Sequence, residues 1–195
     1  MNIFYLHKDP KTCAEMHCDK HVCKMIIEYA QLMCTAHRVI DGEHYEGRTA
    51  NNRRIARWKH PLENHEKLLY KASHINHPSN LWVRESQNHY NWLYEMWEHL
   101  CYEYTNRYGK VHMTDLKLRG ILASSPMQID VKPFVDPYLA MPDDVKQENV
   151  VEAYRDYYIN YKKDFAKWTN RKVPDFMIGT IQEIKDIETH AGYAS

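Results

Sequence analysis

The sequence predicts an all-α domain built from three long helices and several short ones, and two observations support this fold class. Apolar side chains recur at spacings of three and four over long stretches, which is the period of an amphipathic helix. The 195 residues include only six glycines, so few tight turns are expected. We predict a single helical domain over residues 1–176, followed by a C-terminal helix or tail over residues 177–195.

The first predicted elements follow from an apolar run and a helix start signal. Residues 2–6 form a short apolar run that predicts either one short N-terminal strand or an extended lead-in. Asp9 and Pro10 then have the residue types of an N-cap and a first helical position. The first long helix is predicted from there to residue 40, and Asp19 is a second N-cap at which this helix would divide into two.

The middle of the chain is predicted to contain a polar loop, a short helix and the second long helix. The polar, glycine-containing stretch at residues 41–52 is typical of a mobile loop. Pro61 suits the start of a short helix that ends near Tyr70. The second long helix is predicted over residues 79–108, with Gly109 as its C-terminal stop.

The last part of the chain is predicted to combine helices with one long irregular connection. Thr114 suits the cap of a short helix that ends at Leu122. Residues 124–142 contain four prolines, which favour an extended, irregular segment over a helix. The third long helix is predicted over residues 143–167, where aromatic side chains recur at helical spacing.

Composition and charge limit the protein class. The 26 basic and 26 acidic residues give a formal net charge of zero, which excludes an overall basic protein but leaves room for a local basic face. No apolar run approaches the roughly 20 residues of a membrane span, and the start of the chain lacks the pattern of a secretory signal. The five cysteines are an odd number without CxxC spacing, so reduced thiols are expected. We therefore expect a cytoplasmic protein with no membrane partner; the sequence indicates no particular oligomeric state.

A polar stripe on the first long helix holds the candidate catalytic residues. Opposite the apolar face, polar side chains recur at spacings of three and four, and they combine imidazole, amine and carboxylate groups. One interpretation is a solvated face with an ion pair between Lys24 and Glu28. The other is an active-site face, in which an amine acts as nucleophile and a carboxylate as general base. On this second interpretation the catalytic residues are Glu28, Lys24, His21 and His17.

The same stripe raises the question of a metal site. His17 and His21 are four residues apart, and Cys13 lies one turn earlier, so these side chains have a spacing that zinc ligands use. A zinc-protease helix would place a glutamate directly after the first histidine, whereas Cys18 follows here. The sequence therefore favours a structural histidine pair, and we predict neither a metal nor another cofactor.

Aromatic residues interleaved with arginine and lysine suggest contact with a nucleic acid. Aromatic rings stack on bases while cations hold phosphates. The competing interpretation is that aromatic residues at helical spacing form the core. The candidate nucleic-acid-binding residues are Arg53, Arg54, Arg57, Asn76, His77, Arg84, Asn88, Arg155 and Lys162.

Several motifs resemble those of a family of mostly uncharacterised proteins encoded by tailed phages. This resemblance covers nearly the whole chain and implies a phage origin, which would make the site of action the cytoplasm of the host cell. It implies no particular activity. The motifs are CDKHVCKMIIEYAQLMCTAHRVIDG (18–42), NHPSNLWVRESQNHYNWL (76–93), EYTNRYGKVH (103–112), AMPDD (140–144) and AYRDYY (153–158).

A fainter resemblance connects the chain with phage pyrimidine-dimer DNA glycosylases, which are small helical proteins. Those enzymes cleave the glycosidic bond and then the strand, using an N-terminal α-amine and a helical glutamate. Glu28 matches that glutamate by its position on the first long helix. The family's amine belongs to a threonine that is exposed when methionine is removed. Here the size of Asn2 disfavours removal of Met1, so the resemblance implies that the amine belongs to Met1, Lys24 or Lys20.

Three functional hypotheses follow. The first is a DNA glycosylase and abasic-site lyase that acts on damaged or modified pyrimidines through an amine and Glu28, with DNA as the partner. The second is a DNA base- or nucleotide-modifying enzyme that uses His17, His21 and Glu28 as acid–base groups. The third is a non-catalytic phage protein that binds a host partner. The chain has no phosphate-binding glycine loop, serine elbow or zinc-finger spacing, which counts against those enzyme and module classes.

Overall fold

A computed structural model of the protein describes residues 1–182, which form a mostly helical fold with one two-stranded sheet. Three single-turn 3-10 helices lie near the C-terminal end, and a further helix begins at Ile178. The C-terminal helix or tail predicted for residues 177–195 falls mostly outside the described residues. The elements are α1 (Pro10–Met16), α2 (Asp19–Asp41), β1 (Glu43–Arg48), β2 (Arg54–Lys59), α3 (Glu63–Leu68), α4 (Pro78–Glu85), α5 (Gln87–Tyr108), α6 (Met113–Leu122) and α7 (Val150–Tyr161).

The prediction of three long helices is not confirmed, because two of the predicted segments are interrupted. The first breaks at His17 and Cys18, whose backbones are extended, so α1 and α2 are separate helices. The second breaks at Ser86, whose hydroxyl accepts the backbone N–H of Asn88 and caps α5. Serine competes with the backbone in this way at helix starts, and the apolar period continues across the break. Among the described helices, α2 with 23 residues and α5 with 22 are long.

The third predicted helix is shorter than expected. Asn149 caps α7 by accepting the N–H groups of Val151 and Glu152, and α7 ends at Tyr161. The residues before Asn149 form an irregular stretch with one 3-10 turn. The short helix α6 and the irregular segment at residues 124–142 agree with the sequence-based expectation. So does the stop after α5, where Gly109 has a φ of 66° in the left-handed region.

The loop predicted at residues 41–52 is wrong over most of its length, because β1 and β2 form an antiparallel hairpin there. The register pairs Glu43 with Lys59 at its open end. Across the strands, the ring of His44 packs against that of Trp58 with centroids 5.1 Å apart. Gly47 leaves room for an arginine on the opposite strand, since a Cβ atom at this position would lie 2.9 Å from Cγ of Arg57. β1 is exposed at all but one position, so its sequence has no apolar–polar alternation that would indicate a strand.

The helix α2 lies at the centre of the fold and packs against α4, α5 and α6, while α1 packs against α5. Its buried side chains include Met25, Ile26 and Leu32, all at most 1% exposed. They meet Trp97 and other residues of α5, and the indole N–H of Trp97 donates to the carbonyl of Ile26 at 2.9 Å. Within the described residues, no helix is long and apolar enough to cross a membrane.

The N-terminal segment is buried but belongs to no sheet, so the extended lead-in is confirmed and the strand is not. Ile3 and Leu6 are fully buried, although the segment has no strand partner within the described residues. Side chains from distant elements replace the missing backbone ladder. The N–H of Phe4 donates to the Tyr29 hydroxyl at 3.1 Å, and the carbonyl of Leu6 accepts from Arg155 at 3.0 Å.

The buried guanidinium of Arg38 joins α2 to the residues that follow the hairpin. It is 4% exposed and donates to the carbonyls of Tyr70, Trp58 and Leu69 over 2.7–3.0 Å. It also contacts the carboxylate of Glu66 at 2.6 Å and the carbonyl of the same residue. A planar guanidinium has five N–H donors in fixed directions and can serve all of these acceptors at once, whereas a lysine amine has only three donors. The chain from β2 to Tyr70 is therefore fixed to α2 by one side chain.

We expect Arg38→Lys to lower the free energy of unfolding by about 3 kcal/mol, because it leaves several buried acceptors and a carboxylate without their partner. Urea denaturation followed by circular dichroism measures this change. The matched control is Arg54→Lys, whose side chain is 74% exposed and which should change stability by less than about 0.5 kcal/mol. A loss for Arg38→Lys as small as that of the control would contradict this role.

Candidate functional site

The α-amino group of Met1 lies beside the carboxylate of Glu28. The nitrogen is 3.6 Å from Oε2 of Glu28, while the amine of Lys24 lies 3.2 Å from Oε1 of the same carboxylate. The Met1 side chain is 6% exposed and that of Glu28 is 20% exposed, whereas Lys24 is 66% exposed. The carboxylate therefore bridges a half-enclosed α-amine and a solvated lysine.

The positions of these groups follow directly from the core. Glu28 precedes Tyr29 on α2, and the Tyr29 hydroxyl holds the N–H of Phe4. The helix that carries the carboxylate thus also fixes the N-terminal segment, three residues away from the amine. Lys24 is four residues before Glu28, so both side chains project from one face of α2. We call the α-amino group of Met1, Glu28, Lys24 and His77 the amine site.

His77 completes the amine site as a neutral imidazole. Burial lowers its pKa below the ordinary value, and the positive charge of the Met1 amine lowers it further, while the Glu28 carboxylate acts in the opposite direction. Its Nδ1 accepts the backbone N–H of Ser79 at 3.2 Å at the start of α4. In the neutral form the ring proton is therefore on Nε2, which can donate a hydrogen bond.

The turn that carries His77 is held by two side chains of α4. The amide of Asn80 donates to the carbonyls of Ser73 and His74, both at 3.0 Å. The guanidinium of Arg84 donates to the carbonyls of Ile75 and Asn80. Arg84, predicted to contact nucleic acid, thus uses these donors within the protein. The residues it supports carry His77 and the exposed Asn76.

A pocket of about 380 Å³ opens beside the amine site. The pocket and the amine site share α2, because Gln31, which lines the pocket, lies one turn after Glu28 on this helix. The aromatic ring of Tyr70 forms part of the wall, and the remaining surface is mainly apolar. The lining residues are Ile27, Gln31, Arg57, Tyr70, Lys71, Ala72 and Ser73.

The predicted basic stretch lies on the hairpin next to this pocket. Arg57 lines the pocket from β2, and Arg53 is exposed in the turn between the strands. Arg54 is exposed and lies 3.4 Å from the carboxylate of Glu46 on β1. Of these three arginines, only Arg57 lines the pocket, because Arg54 lies three residues before it on β2 and so projects from the opposite face of the hairpin.

Three other predicted nucleic-acid-binding residues lie elsewhere in the fold and have partners within it. Asn88 donates to the carbonyl of Lys132 at 2.7 Å. Arg155 donates to Leu6 of the N-terminal segment, and the amine of Lys162 lies 4.5 Å above the ring of Tyr157. None of these contacts joins the three residues to the hairpin arginines.

The two histidines of the predicted catalytic stripe are buried in the core. Nδ1 of His17 donates to the carbonyl of Cys13 at 2.8 Å, so Nε2 accepts the hydroxyl proton of Tyr29, also at 2.8 Å. Nδ1 of His21 is bonded to the hydroxyl of Tyr158, and the ring of Phe4 stacks on it with centroids 4.3 Å apart. Burial lowers the pKa of both imidazoles. Of the four predicted catalytic residues, Lys24 and Glu28 therefore belong to the amine site.

Comparison with known proteins gives no match: no protein-family model, curated protein or solved structure matches this chain. The resemblances to phage proteins and to pyrimidine-dimer glycosylases therefore remain expectations from the sequence. The functional argument that follows depends on the geometry of the described residues.

Met1 was among the amines expected from the sequence, whereas His77 was predicted to contact nucleic acid. No sequence pattern links His77 to Glu28, because the two residues lie on different elements that only the tertiary fold brings together. The dipeptide His77–Pro78 does show locally that a helix starts there, with proline in its first turn.

The buried, neutral state of His17 predicts a loss of stability in mild acid. Burial lowers its pKa to about 4 from an ordinary 6.5, so between pH 7 and pH 5 the unfolded chain gains a proton that the folded protein does not. The free energy of unfolding should therefore fall by about 2 kcal/mol over this interval on account of this residue alone. In urea denaturation at both pH values, His17→Gln should reduce the difference by that amount. The exposed control His44→Gln should leave it unchanged, and equal pH dependence in His17→Gln and the wild type would contradict the assignment.

Proposed function

We propose that the protein is a DNA glycosylase and abasic-site lyase that acts on damaged or modified pyrimidines, with the Met1 α-amine as nucleophile and Glu28 as general base. The observation that carries this proposal is the distance of 3.6 Å between the Met1 nitrogen and the Glu28 carboxylate. An amine becomes a nucleophile when a neighbouring base takes its proton. The proposal requires that the α-amino group of Met1 is free, which an intact-mass measurement checks.

The proposed reaction uses the amine and the carboxylate in turn. The neutral amine attacks C1′ of the target nucleotide, and the glycosidic bond breaks with its electron pair going to the base, which takes a proton from water. Glu28 takes the proton that the amine loses and passes it to the ring oxygen as the sugar opens to give a Schiff base with the protein. Removal of a proton from C2′ then expels the 3′ phosphate and cuts the strand, and water releases the amine.

Several features favour Met1 over Lys24 as the nucleophile. The Met1 side chain is 6% exposed, so the residue that carries the α-amine is packed against the core, whereas the Lys24 side chain is 66% exposed and solvated. An α-amino group is also a weaker base than a lysine side chain, so a larger fraction is unprotonated at neutral pH. Lys24 then serves to hold the Glu28 carboxylate in place, and the Nε2 proton of His77 serves as a donor to the leaving base or sugar.

The neighbouring pocket suits a base that is turned out of the double helix. Enzymes that react at the base or its glycosidic bond extrude the target nucleotide into a pocket, where it stacks on aromatic or apolar side chains. The pocket of about 380 Å³ offers Tyr70 and Ile27 for stacking and Gln31 for a hydrogen bond to the base edge. Arg57, which lines the pocket, would hold a phosphate next to the extruded nucleotide.

The proposal predicts a covalent crosslink between the protein and DNA. Borohydride reduces a Schiff base to a stable amine, so the wild type should be trapped on duplexes that contain a pyrimidine dimer or an abasic site. Glu28→Gln should lower the trapping rate by about 10²–10⁴, as the loss of a general base does. The matched control is Glu98→Gln, since Glu98 is 32% exposed and ion-paired at 2.8 Å, and this variant should react like the wild type.

Three further variants identify the nucleophile in the same assay. An additional residue before Met1 moves the α-amine away from Glu28 and should abolish the crosslink, while Lys24→Ala and Lys20→Ala should retain it. If Lys24→Ala loses the crosslink and the extended chain keeps it, the nucleophile is Lys24. If the wild type gives no crosslink on either DNA, the glycosylase–lyase proposal is wrong.

DNA binding by the hairpin is tested separately through its salt dependence. Each phosphate contact contributes about 0.9 to the slope of log affinity against log salt on duplex DNA. The double variant Arg53→Glu, Arg54→Glu should therefore reduce the magnitude of the slope by about 2 in fluorescence anisotropy. The control is Lys172→Glu, a lysine with an 80% exposed side chain that lies outside the hairpin and should leave the slope unchanged. No binding by the wild type at low salt, to either single- or double-stranded DNA, would exclude the DNA partner.

A further inference from the structure

A second cluster of reactive side chains lies at the other end of α2. His37 and Asp41 are one turn apart on this helix, and His60 follows β2. Nδ1 of His37 and Nε2 of His60 lie 4.0 Å and 3.8 Å from Oδ2 of Asp41, and the three atoms are all within 4.8 Å of one another. Each residue is at most 7% exposed. We call these three residues the His–Asp cluster.

The cluster contains polar atoms that lack partners in the described part of the chain. The hydroxyl of Tyr90 donates to the carbonyl of Leu122, so at 2.9 Å it accepts the Nε2 proton of His37. Nδ1 of the neutral His37 ring is then a bare lone pair that faces the Asp41 carboxylate, and no hydrogen bond reaches it. Nε2 of His60 is likewise buried and unpartnered. Buried polar atoms are almost always paired, so this arrangement points to a missing cation.

We propose that the His–Asp cluster binds one divalent transition metal ion of the zinc class through Nδ1 of His37, Oδ2 of Asp41 and Nε2 of His60. Two imidazoles and one carboxylate are a ligand set that such ions use, with a further position left for water or substrate. Metal–ligand distances near 2.1 Å in a tetrahedral site put neighbouring ligands roughly 3.4 Å apart. The three side chains therefore need to move together by about half an ångström.

The surroundings of the cluster orient its ligands. Both oxygens of Asp41 accept backbone N–H groups of the irregular segment, from Met127 at 2.9 Å and Gln128 at 3.0 Å. His37 is oriented by Tyr90, as ligand histidines are commonly fixed through their other nitrogen. Nδ1 of His60 accepts the N–H of Leu62 at 3.2 Å. When a metal ion binds Nε2, the ring proton moves to Nδ1. Nδ1 can then no longer accept this N–H, so this long hydrogen bond is lost.

A pocket borders the cluster, although the cluster's own side chains are buried. Asp41 and His60 line this pocket of about 280 Å³ together with Glu43, Lys59 and Pro61. A third imidazole, that of His65, stacks on His60 with centroids 4.7 Å apart, and its Nδ1 is buried without a partner in the described part of the chain. A metal ion would enter from the side of this pocket, and His65 is a further donor next to the cluster.

This site is separate from the amine site. Asp41 lies thirteen residues after Glu28 on α2, which corresponds to about 20 Å at 1.5 Å per residue. The metal therefore does not take part in the proposed amine chemistry. The two proposals can fail independently of each other.

Metal titration of the untagged, metal-free full chain tests the proposal. Isothermal titration with Zn²⁺ should show one equivalent bound, and Co²⁺ should give the visible absorption bands of a low-coordinate nitrogen and oxygen site. Metal bound only by the folded state should also raise the melting temperature. Asp41→Asn and His60→Gln should each weaken binding by at least about 100-fold. The control is His44→Gln, an exposed histidine on β1 that should bind metal like the wild type.

The wild-type measurement keeps the test decisive even if a cluster variant fails to fold. Absence of saturable Zn²⁺ and Co²⁺ binding by the folded wild type would overturn the proposal. So would full retention of binding in a folded Asp41→Asn, His60→Gln double variant, because the metal would then be held elsewhere. Circular dichroism of each variant establishes that it is folded.

Discussion

The hydroxyl of Tyr29 is the contact on which the arrangement of the site depends. It accepts the N–H of Phe4 and donates to His17, so one buried group joins the N-terminal segment, the α1–α2 junction and α2 itself. Phe4, His17 and Tyr29 are all buried, and the loss of either hydrogen bond leaves a buried polar group without a partner. Because Glu28 directly precedes Tyr29 on the same helix, the proposed nucleophile and base are positioned by the packing of the core.

The helix α2 connects two polar regions. Its N-terminal half carries Lys24 and Glu28 at the amine site, and its C-terminal half carries Arg38 together with His37 and Asp41 of the His–Asp cluster. Arg38 is surrounded by carbonyls and by the Glu66 carboxylate, so its charge is neutralised locally and its role is structural. The Glu28 carboxylate at the amine site is shared between two amines and is partly open to water.

Features set by local sequence were predictable, and features set by tertiary pairing were not. The left-handed Gly109, the α6 helix and the irregular proline-rich segment depend on neighbours in the chain, and they agree with the structure. The hairpin was missed because β1 is exposed at all but one position and its sequence has no apolar–polar alternation. The stripe on α2 pointed to Glu28, but its period could not show that His17 turns into the core. The placement of His60 beside Asp41 depends on the hairpin and had no counterpart in the sequence pattern.

The buried N-terminal segment has a consequence for the order in which the protein assembles. Its hydrogen-bond partners Asp136 and Arg155 lie 131 and 149 residues further along the chain from the residues that they hold. During synthesis, Tyr5 and Leu6 must therefore wait until most of the polypeptide has emerged before their contacts can form. Such long-range contacts slow folding, so the N-terminal segment is expected to be among the last parts of the protein to fold. A shortened chain that lacks α7 would keep the Tyr29 contact but lose the hydrogen bond from Arg155 to Leu6, so the segment that carries Met1 would be held beside Glu28 by fewer contacts.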